Sequence, residues 1–124
     1  MAIAIHEVPL SSGSKAMPRI AMGTAVFPLP PFDTTRDAML HAIKIGYRHF
    51  DTASVYSSEE PLGEAIAEAL RLGFIASRDE LFITSKLWVR DAQSHLVLPA
   101  LQKSLRKGNE PGSGPLGLTA IVLQ

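Results

Sequence analysis

An alternation of strand-like and helix-like segments between residues 20 and 106 is the feature that most constrains the fold. Short apolar runs at 20–25, 47–51 and 81–88 are each followed by a segment with helical periodicity. Parallel strands need long connections, and these are usually helices, so this order is typical of a parallel sheet covered by helices. The sequence therefore predicts an α/β protein with about three βα units.

The first two helical segments carry recognisable start and stop signals. The first helix is predicted to begin at Asp33 or Thr34 and to end at Gly46, and the second to begin within 57–61 and to end at Gly73. Both predicted starts contain a pair of residues with capping-box spacing. These pairs are Thr34 with Asp37 and Ser57 with Glu60.

Two further segments lie outside this alternation. Residues 7–10 and 17–20 flank a polar turn that contains glycine, which predicts an N-terminal β-hairpin. At the other end, residues 108–117 contain four glycines and two prolines. We therefore predict one folded unit over residues 1–107 and a divergent, disordered tail over residues 108–124.

The tail also contains a pattern that imitates a nucleotide-binding motif. Residues 112–117 match G-x-G-x-x-G. The dinucleotide fingerprint needs a strand before it, a helix opening within it and an acidic residue about 20 positions later. A helical segment precedes this match, Pro115 interrupts it, and seven residues follow it. We therefore do not interpret it as a cofactor site.

Composition excludes several classes of function. Twelve basic and twelve acidic residues give a net charge of zero, so nothing indicates a nucleic acid or an anionic membrane as partner. The chain has no cysteine, which excludes disulfides and thiolate metal sites, and we predict no metal site. No apolar run approaches the roughly 20 residues of a membrane helix, and residues 1–10 lack the features of a signal peptide. A cytoplasmic location is the expectation.

Polar side chains follow two of the predicted strands. Asp51 and Tyr56 come after the second strand, and Lys86 lies at the end of the third. Hydride transfer to a carbonyl places negative charge on oxygen, so a proton donor and fixed positive charge must lie about 3 Å away. Tyr56 is the candidate acid, Lys86 would make its proton easier to release, and Asp51 would orient Lys86. Each residue taken singly is also compatible with a purely structural role, since an aspartate after a strand is commonly a turn residue.

Three motifs resemble a known family. Asp51-Thr52-Ala53 followed by Tyr56, then Gly63 to Ile66, then Ile83 to Trp88, are similar to the aldo-keto reductases, and in particular to plant-type reductases related to chalcone and codeinone reductases. The similarity extends from about residue 7 to residue 106. It implies a (β/α)8 barrel and an NADPH-dependent oxidoreductase that reduces aldehydes or ketones to alcohols.

The resemblance also assigns roles to individual residues. It implies that Tyr56, Asp51 and Lys86 are catalytic, and that Gly23, Thr24 and Asp51 border the NADPH cofactor. It implies that Trp88 forms an aromatic wall of the pocket for the small carbonyl substrate. From the sequence alone, a Gly-Thr pair such as Gly23-Thr24 is more often a simple strand end.

The length does not suffice for a complete barrel. A closed (β/α)8 TIM barrel takes about 250 residues, whereas this chain has 124. We therefore expect an incomplete barrel, an N-terminal hairpin plus about three βα units, from a truncated isoform that is inactive by itself. The family's next strand, with its Leu-Ile-His-Trp-Pro signature and its histidine, has no counterpart after Arg106. The alternative is a non-catalytic partial barrel that binds full-length relatives, or itself, through exposed barrel edges.

Overall fold

The N-terminal segment forms the predicted hairpin. The computed structural model describes residues 4–11, 15–106 and 120–123. Strand β1 (Glu7–Val8) pairs antiparallel with β2 (Met17–Pro18), with Glu7 opposite Pro18. The hairpin prediction is confirmed, although residues 12–14 of the turn lie outside the described residues.

Within the described residues, the main sheet has four parallel strands in chain order. They are β3 (Met22–Gly23), β4 (His49–Asp51), β5 (Phe82–Leu87) and β6 (Ala120–Leu123). Neighbouring strands of the sheet are also consecutive along the chain. Each strand is therefore joined to the next by one crossover connection, as the alternation of strand-like and helix-like segments predicted. The carboxyl ends of the strands therefore meet along one edge of the sheet.

Three α-helices connect these strands. They are α1 (Phe32–Ile45), α2 (Glu59–Arg71) and α3 (Ser94–Arg106). Gly46 ends α1 in the left-handed region, at φ 113°, which a residue without a Cβ adopts at little cost. Gly73 likewise has φ 75° just beyond α2, so both predicted helix stops are confirmed.

Neither predicted capping box forms. Helix α1 begins at Phe32, directly after Pro31, and α2 begins at Glu59, directly after Ser58. Ser58 makes no side-chain hydrogen bond to the first turn of α2. The predicted boxes were wrong because both helices begin at other residues: Thr34 lies inside the first turn of α1, and Ser57, at φ 57°, lies one residue before the Ser58 cap position.

The hydrophobic core lies between the sheet and the first two helices. Phe50 on β4 and Ile83 on β5 are fully buried against the apolar stripes of α1 and α2. Burial of each large apolar side chain contributes about 1.5–3 kcal/mol. The helix residues of this core are Met39, Ala42, Ile43, Leu62, Ala65, Ile66 and Ala69.

The hairpin is attached to the amino end of the sheet by polar contacts. The His49 ring lies between two partners, with Nδ1 3.0 Å from the Pro18 carbonyl oxygen and Nε2 2.9 Å from the Thr84 hydroxyl. Lys15 Nζ donates to the Leu81 carbonyl oxygen at 2.9 Å. These contacts close the amino end of the sheet.

Four residues of the predicted tail form a strand that was not predicted from the sequence. Ala120–Leu123 forms β6, which pairs with β5 from Thr84 opposite Ala120 to Leu87 opposite Leu123. A strand edge leaves backbone N–H and C=O groups that need partners, and the Ala-Ile-Val-Leu segment has the β-branched residues that favour strands. Residues 107–119, including the glycine-rich match at 112–117, lie outside the described residues. Within the described chain, no helix has the length and apolar character needed to cross a membrane.

Candidate active site

The candidate site lies where the parallel strands end. Gly23 is paired with Asp51, and Asp51 with Thr84, so β3 and β4 end side by side while β5 continues three residues further and carries Lys86 past the end of β4. Barrel enzymes place their reacting groups at this edge, on the loops that leave the strands.

Asp51 and Lys86 form an ion pair across the ends of β4 and β5. The Lys86 ammonium donates to the Asp51 carboxylate and, at 3.1 Å, to the Thr52 carbonyl oxygen. The Lys86 side chain is 11% exposed and that of Asp51 is 40% exposed. Lys86 is thus held in place with little freedom, while the carboxylate stays partly open to solvent.

Tyr56 lies on the other side of the same ammonium. It ends a short 3-10 turn, Ser54–Tyr56, in which its N–H donates to the Ala53 carbonyl oxygen at 3.0 Å. Lys86 Nζ lies over the Tyr56 ring, 4.9 Å from the ring centroid, which is within the range of a cation–π contact. The structure therefore brings together the carboxylate, the phenol and the ammonium that the sequence singled out.

An open cleft of about 410 Å³ adjoins Tyr56. Its walls are mainly apolar, and Phe27 is 97% exposed at its rim. A cleft of this size matches the range of small-molecule sites, which are apolar with a few polar groups. Its lining residues are Ala25, Val26, Phe27, Leu29, Val55, Tyr56 and Ser57.

Trp88 is not brought into that cleft. It is 40% exposed and lines a separate depression of about 150 Å³ beside α3, together with Asp91 and Lys103. Val55 lines both depressions and lies between them. In this structure Trp88 and Tyr56 therefore border different spaces.

The two residues predicted to border a cofactor differ in accessibility. Gly23 is exposed, and a Cβ added there would meet no atom within 4 Å. Thr24 is buried, and its hydroxyl donates to the Asp51 carbonyl oxygen at 2.9 Å while contacting Ser58 Oγ at 2.8 Å. The open surface at this strand end thus belongs to Gly23, and the Thr24 hydroxyl supports Asp51 from within the protein.

Sequence reasoning missed two polar residues behind this site. Ser58 and Glu59 are 2% and 1% exposed, and they contact Thr24, Thr52 and Ser85 through their side chains. The spacing of Ser57 and Glu60 before an apolar stripe predicted a helix start, and nothing in that pattern indicates that Ser58 and Glu59 belong to a buried polar cluster. Among the residues that the structure describes, no three His, Cys, Asp or Glu side chains are grouped to hold a metal ion.

Comparison with known proteins identifies the family. The sequence profile of the aldo/keto reductase family matches residues 19–110, which is most of the chain. The chain belongs to the aldo/keto reductase family. The resemblance inferred from the motifs at Asp51, Gly63 and Ile83 is therefore confirmed.

Curated relatives within the family are plant enzymes. The (1S)-1,7-diacetoxy-luvungin A aldo-keto reductase of Citrus sinensis is 57% identical over 106 residues, covering 86% of this chain and 33% of that enzyme. NADPH-dependent codeinone reductase 1-1 of Papaver somniferum is 63% identical over 102 residues, covering 82% of this chain and 32% of that enzyme. The chain thus spans about a third of the length of the relatives it matches.

A solved aldo-keto reductase shares the fold. The crystal structure of the Bombyx mori aldo-keto reductase in complex with NADP matches with a TM-score of 0.80 and 40% sequence identity, covering 97% of this chain and 37% of that one. The four parallel strands and three helices are therefore part of an aldo-keto reductase barrel, and the predicted incomplete (β/α)8 architecture is confirmed.

Proposed function

We propose that this chain provides the proton-transfer side of an NADPH-dependent aldo-keto reductase site, which reduces an aldehyde or ketone to an alcohol. The observation that carries the proposal is the position of the Lys86 ammonium, bonded to the Asp51 carboxylate and lying over the Tyr56 ring. A surface lysine with no function would be free to extend into water, whereas this one is 11% exposed.

Each of the three residues has a distinct role in this proposal. The substrate carbonyl enters the cleft beside Tyr56, and the Tyr56 hydroxyl gives its proton to the carbonyl oxygen as negative charge develops there. Lys86 stabilises the resulting phenolate through its positive charge. Asp51 fixes the ammonium in the position from which it acts on Tyr56. NADPH, when bound, supplies the hydride that reduces the carbonyl carbon.

Residues at the end of β3 suit the reactive end of the cofactor. The open space at Gly23 allows a flat ring to approach the backbone closely, and the half-exposed carboxylate of Asp51 lies on the paired strand. We propose that Gly23 and Asp51 border NADPH directly and that Thr24 shapes the same edge from behind. Trp88 is proposed to wall the substrate on the far side of Val55. The Papaver somniferum relative is NADPH-dependent, and the Bombyx mori structure is a complex with NADP. Both facts support this choice of cofactor.

For the 124 residues by themselves we propose no turnover. The binding energy that an enzyme uses at its reacting centre comes largely from remote parts of the ligand. This chain spans about a third of its relatives, so any cofactor contacts made by the other two thirds of those enzymes have no counterpart in these residues. A purified 124-residue protein that oxidises NADPH with a small aldehyde would contradict this part of the proposal.

The second candidate is a non-catalytic partial barrel that binds full-length relatives or a second copy of itself. Several large apolar side chains beside the last β-α unit are exposed, including Val89 at 60% and Leu98 at 60%. Such side chains are buried when a barrel continues, so they favour association. Light scattering that shows a monomer, together with no co-purification with a full-length reductase, would exclude this candidate.

A chimera tests the catalytic proposal directly. Residues 1–106 replace the matching N-terminal third of codeinone reductase 1-1, which restores a chain of full length. We expect NADPH-dependent reduction of a carbonyl substrate by the chimera and none by the 124-residue chain. A folded chimera that binds NADPH but reduces no substrate accepted by the parent enzyme would refute the proposal.

A further inference from the structure

Behind the candidate site lies a cluster of buried polar side chains that the proposed mechanism does not use. Thr52 is fully buried, Glu59 is 1% exposed, and Thr24, Ser58 and Ser85 are at most 5% exposed. Burying a polar group without a partner costs free energy, yet no buried polar side-chain atom of the described residues lacks a hydrogen bond. Each buried polar side-chain atom of the cluster therefore has a hydrogen-bond partner.

The donor and acceptor in each hydroxyl–hydroxyl hydrogen bond of this cluster can be assigned. A carbonyl oxygen only accepts, so the single hydroxyl proton of Thr24 is committed to the Asp51 carbonyl at 2.9 Å. Ser58 must then donate in its 2.8 Å contact with Thr24 Oγ1. For the same reason Thr52 must donate to Ser58 Oγ at 2.7 Å. Three hydroxyls therefore form one chain that ends on the backbone of Asp51.

A second arm reaches the strand that carries Lys86. Ser85, the residue before Lys86, donates its hydroxyl proton to Glu59 Oε1 at 2.7 Å. Ser58 and Glu59 are adjacent at the start of α2, so one short segment is bonded to the ends of both β4 and β5. A buried carboxylate is a costly way to stabilise a fold, since an apolar side chain of similar volume does as well or better.

We infer that Ser58 and Glu59 are positioning residues for the candidate site. They hold the strand ends of Asp51 and Lys86 at a fixed separation, so that the ammonium remains on the carboxylate and over the Tyr56 ring. The catalytic meaning of this role rests on the proposed function, whereas the geometric role does not.

The test measures how fast the Lys86 ammonium protons exchange with water, by ¹⁵N-detected NMR of the 124-residue chain. Slow exchange is expected for the wild type, because the ammonium is buried and bonded to Asp51 and Thr52. Ser58→Ala should speed this exchange about tenfold, the scale of one buried hydrogen bond. Ser58→Thr keeps the hydroxyl and should restore slow exchange.

Matched controls separate positioning from general loss of stability. Ser77→Ala removes an exposed serine hydroxyl that accepts from the Asp79 N–H, and should leave Lys86 unchanged. Glu59→Gln should accelerate the exchange, whereas Glu60→Gln, one residue further along the same helix start and exposed, should not. Amide exchange of Ile83 in the core reports global opening, and the inference requires it to change less than the Lys86 signal.

Several results would overturn the inference. One is that the Lys86 ammonium exchanges at the wild-type rate in both Ser58→Ala and Glu59→Gln. Another is that the Lys86 ammonium exchange and the Ile83 amide exchange are accelerated by the same factor. If Ser58→Ala does not fold, Thr24→Val, which has the same shape, breaks the last hydroxyl link to Asp51. Unfolding of Thr24→Val as well would show that the cluster holds the fold and not the site. Because the readout needs neither NADPH nor turnover, an inactive chimera would refute the proposed function and leave this result intact.

Discussion

The two ends of the parallel sheet are held together in different ways. At the amino end, charged side chains donate to backbone carbonyls: Lys15 and Arg78 both bond the Leu81 oxygen, at 2.9 and 2.8 Å. At the carboxyl end, bonds to backbone carbonyls are joined by several between side chains, as in the pairs Lys86 with Asp51 and Ser85 with Glu59. Backbone acceptors persist in any sequence with this fold, whereas side-chain pairs depend on both residue types. The amino end is therefore expected to serve mainly stability, whereas the carboxyl end holds the residues that we propose to be catalytic.

Loss of the Lys86 charge should have the largest effect of the substitutions considered, and it should lower catalytic activity far more than stability. Lys86→Met in the chimera is expected to lower kcat about 10²–10⁴-fold, because Tyr56 loses the positive charge that stabilises its phenolate. The free energy of unfolding should change by only about 1 kcal/mol, since the Asp51 carboxylate stays accessible to water. Steady-state kinetics and urea unfolding measure the two quantities. Lys44→Met on α1 is the control. An equal loss of kcat in both variants would contradict the special role of the lysine at the carboxyl end of the sheet.

The opposite pattern is expected at His49. In His49→Leu the Pro18 carbonyl and the Thr84 hydroxyl lose their buried partner, so the free energy of unfolding should fall by about 1–3 kcal/mol. The exchange of the Lys86 ammonium should stay slow in the folded protein. His41→Leu, on the exposed side of α1, should change stability by less than about 0.5 kcal/mol. If the Lys86 signal changes as much as stability does, the two ends are not independent.

A smaller effect at the amino end depends on pH. Burial, with the nearby Arg78 charge, lowers the pKa of Lys15 below its ordinary value of 10.5. Between the folded pKa and 10.5 the unfolded chain binds more protons than the folded one, so the free energy of unfolding rises with pH across that window. Lys15→Met should reduce this rise by less than about 1 kcal/mol, because water still reaches the ammonium. Urea unfolding over this pH window measures the rise in the free energy of unfolding, with Lys103→Met as control. An identical pH dependence in Lys15→Met and wild type would show that Lys15 does not cause the rise.

Much of the fold followed from the sequence because its signals are local. The glycine stops at Gly46 and Gly73 and the apolar stripe of α2 act within one or two turns of chain. The meeting of Asp51, Tyr56 and Lys86 was predictable for a different reason. Parallel strands connected by helices must present their carboxyl ends at one edge, so residues 35 apart come together without any detailed knowledge of packing.

The features that were missed depend on distant partners. Ser58 was expected to lie in a helix start, but its hydroxyl partner Thr24 is 34 residues away, and a single sequence does not pair them. The strand Ala120–Leu123 was missed because the glycine and proline content of the preceding segment dominated the composition of the tail. The role of Trp88 as a wall of the substrate pocket stays a prediction; Trp88 and Tyr56 border two depressions that share Val55, an arrangement that depends on the course of a loop.

The account depends most on Tyr56 as the proton donor. The direct measurement is kcat of the chimera with Tyr56→Phe, compared with Tyr47→Phe, which alters the chain's other tyrosine at a position packed against the core. The account predicts that Tyr56→Phe lowers kcat about 10²–10⁴-fold with little change in KM, while Tyr47→Phe keeps it. A Tyr56→Phe chimera that reduces its substrate at the unsubstituted rate would contradict the account.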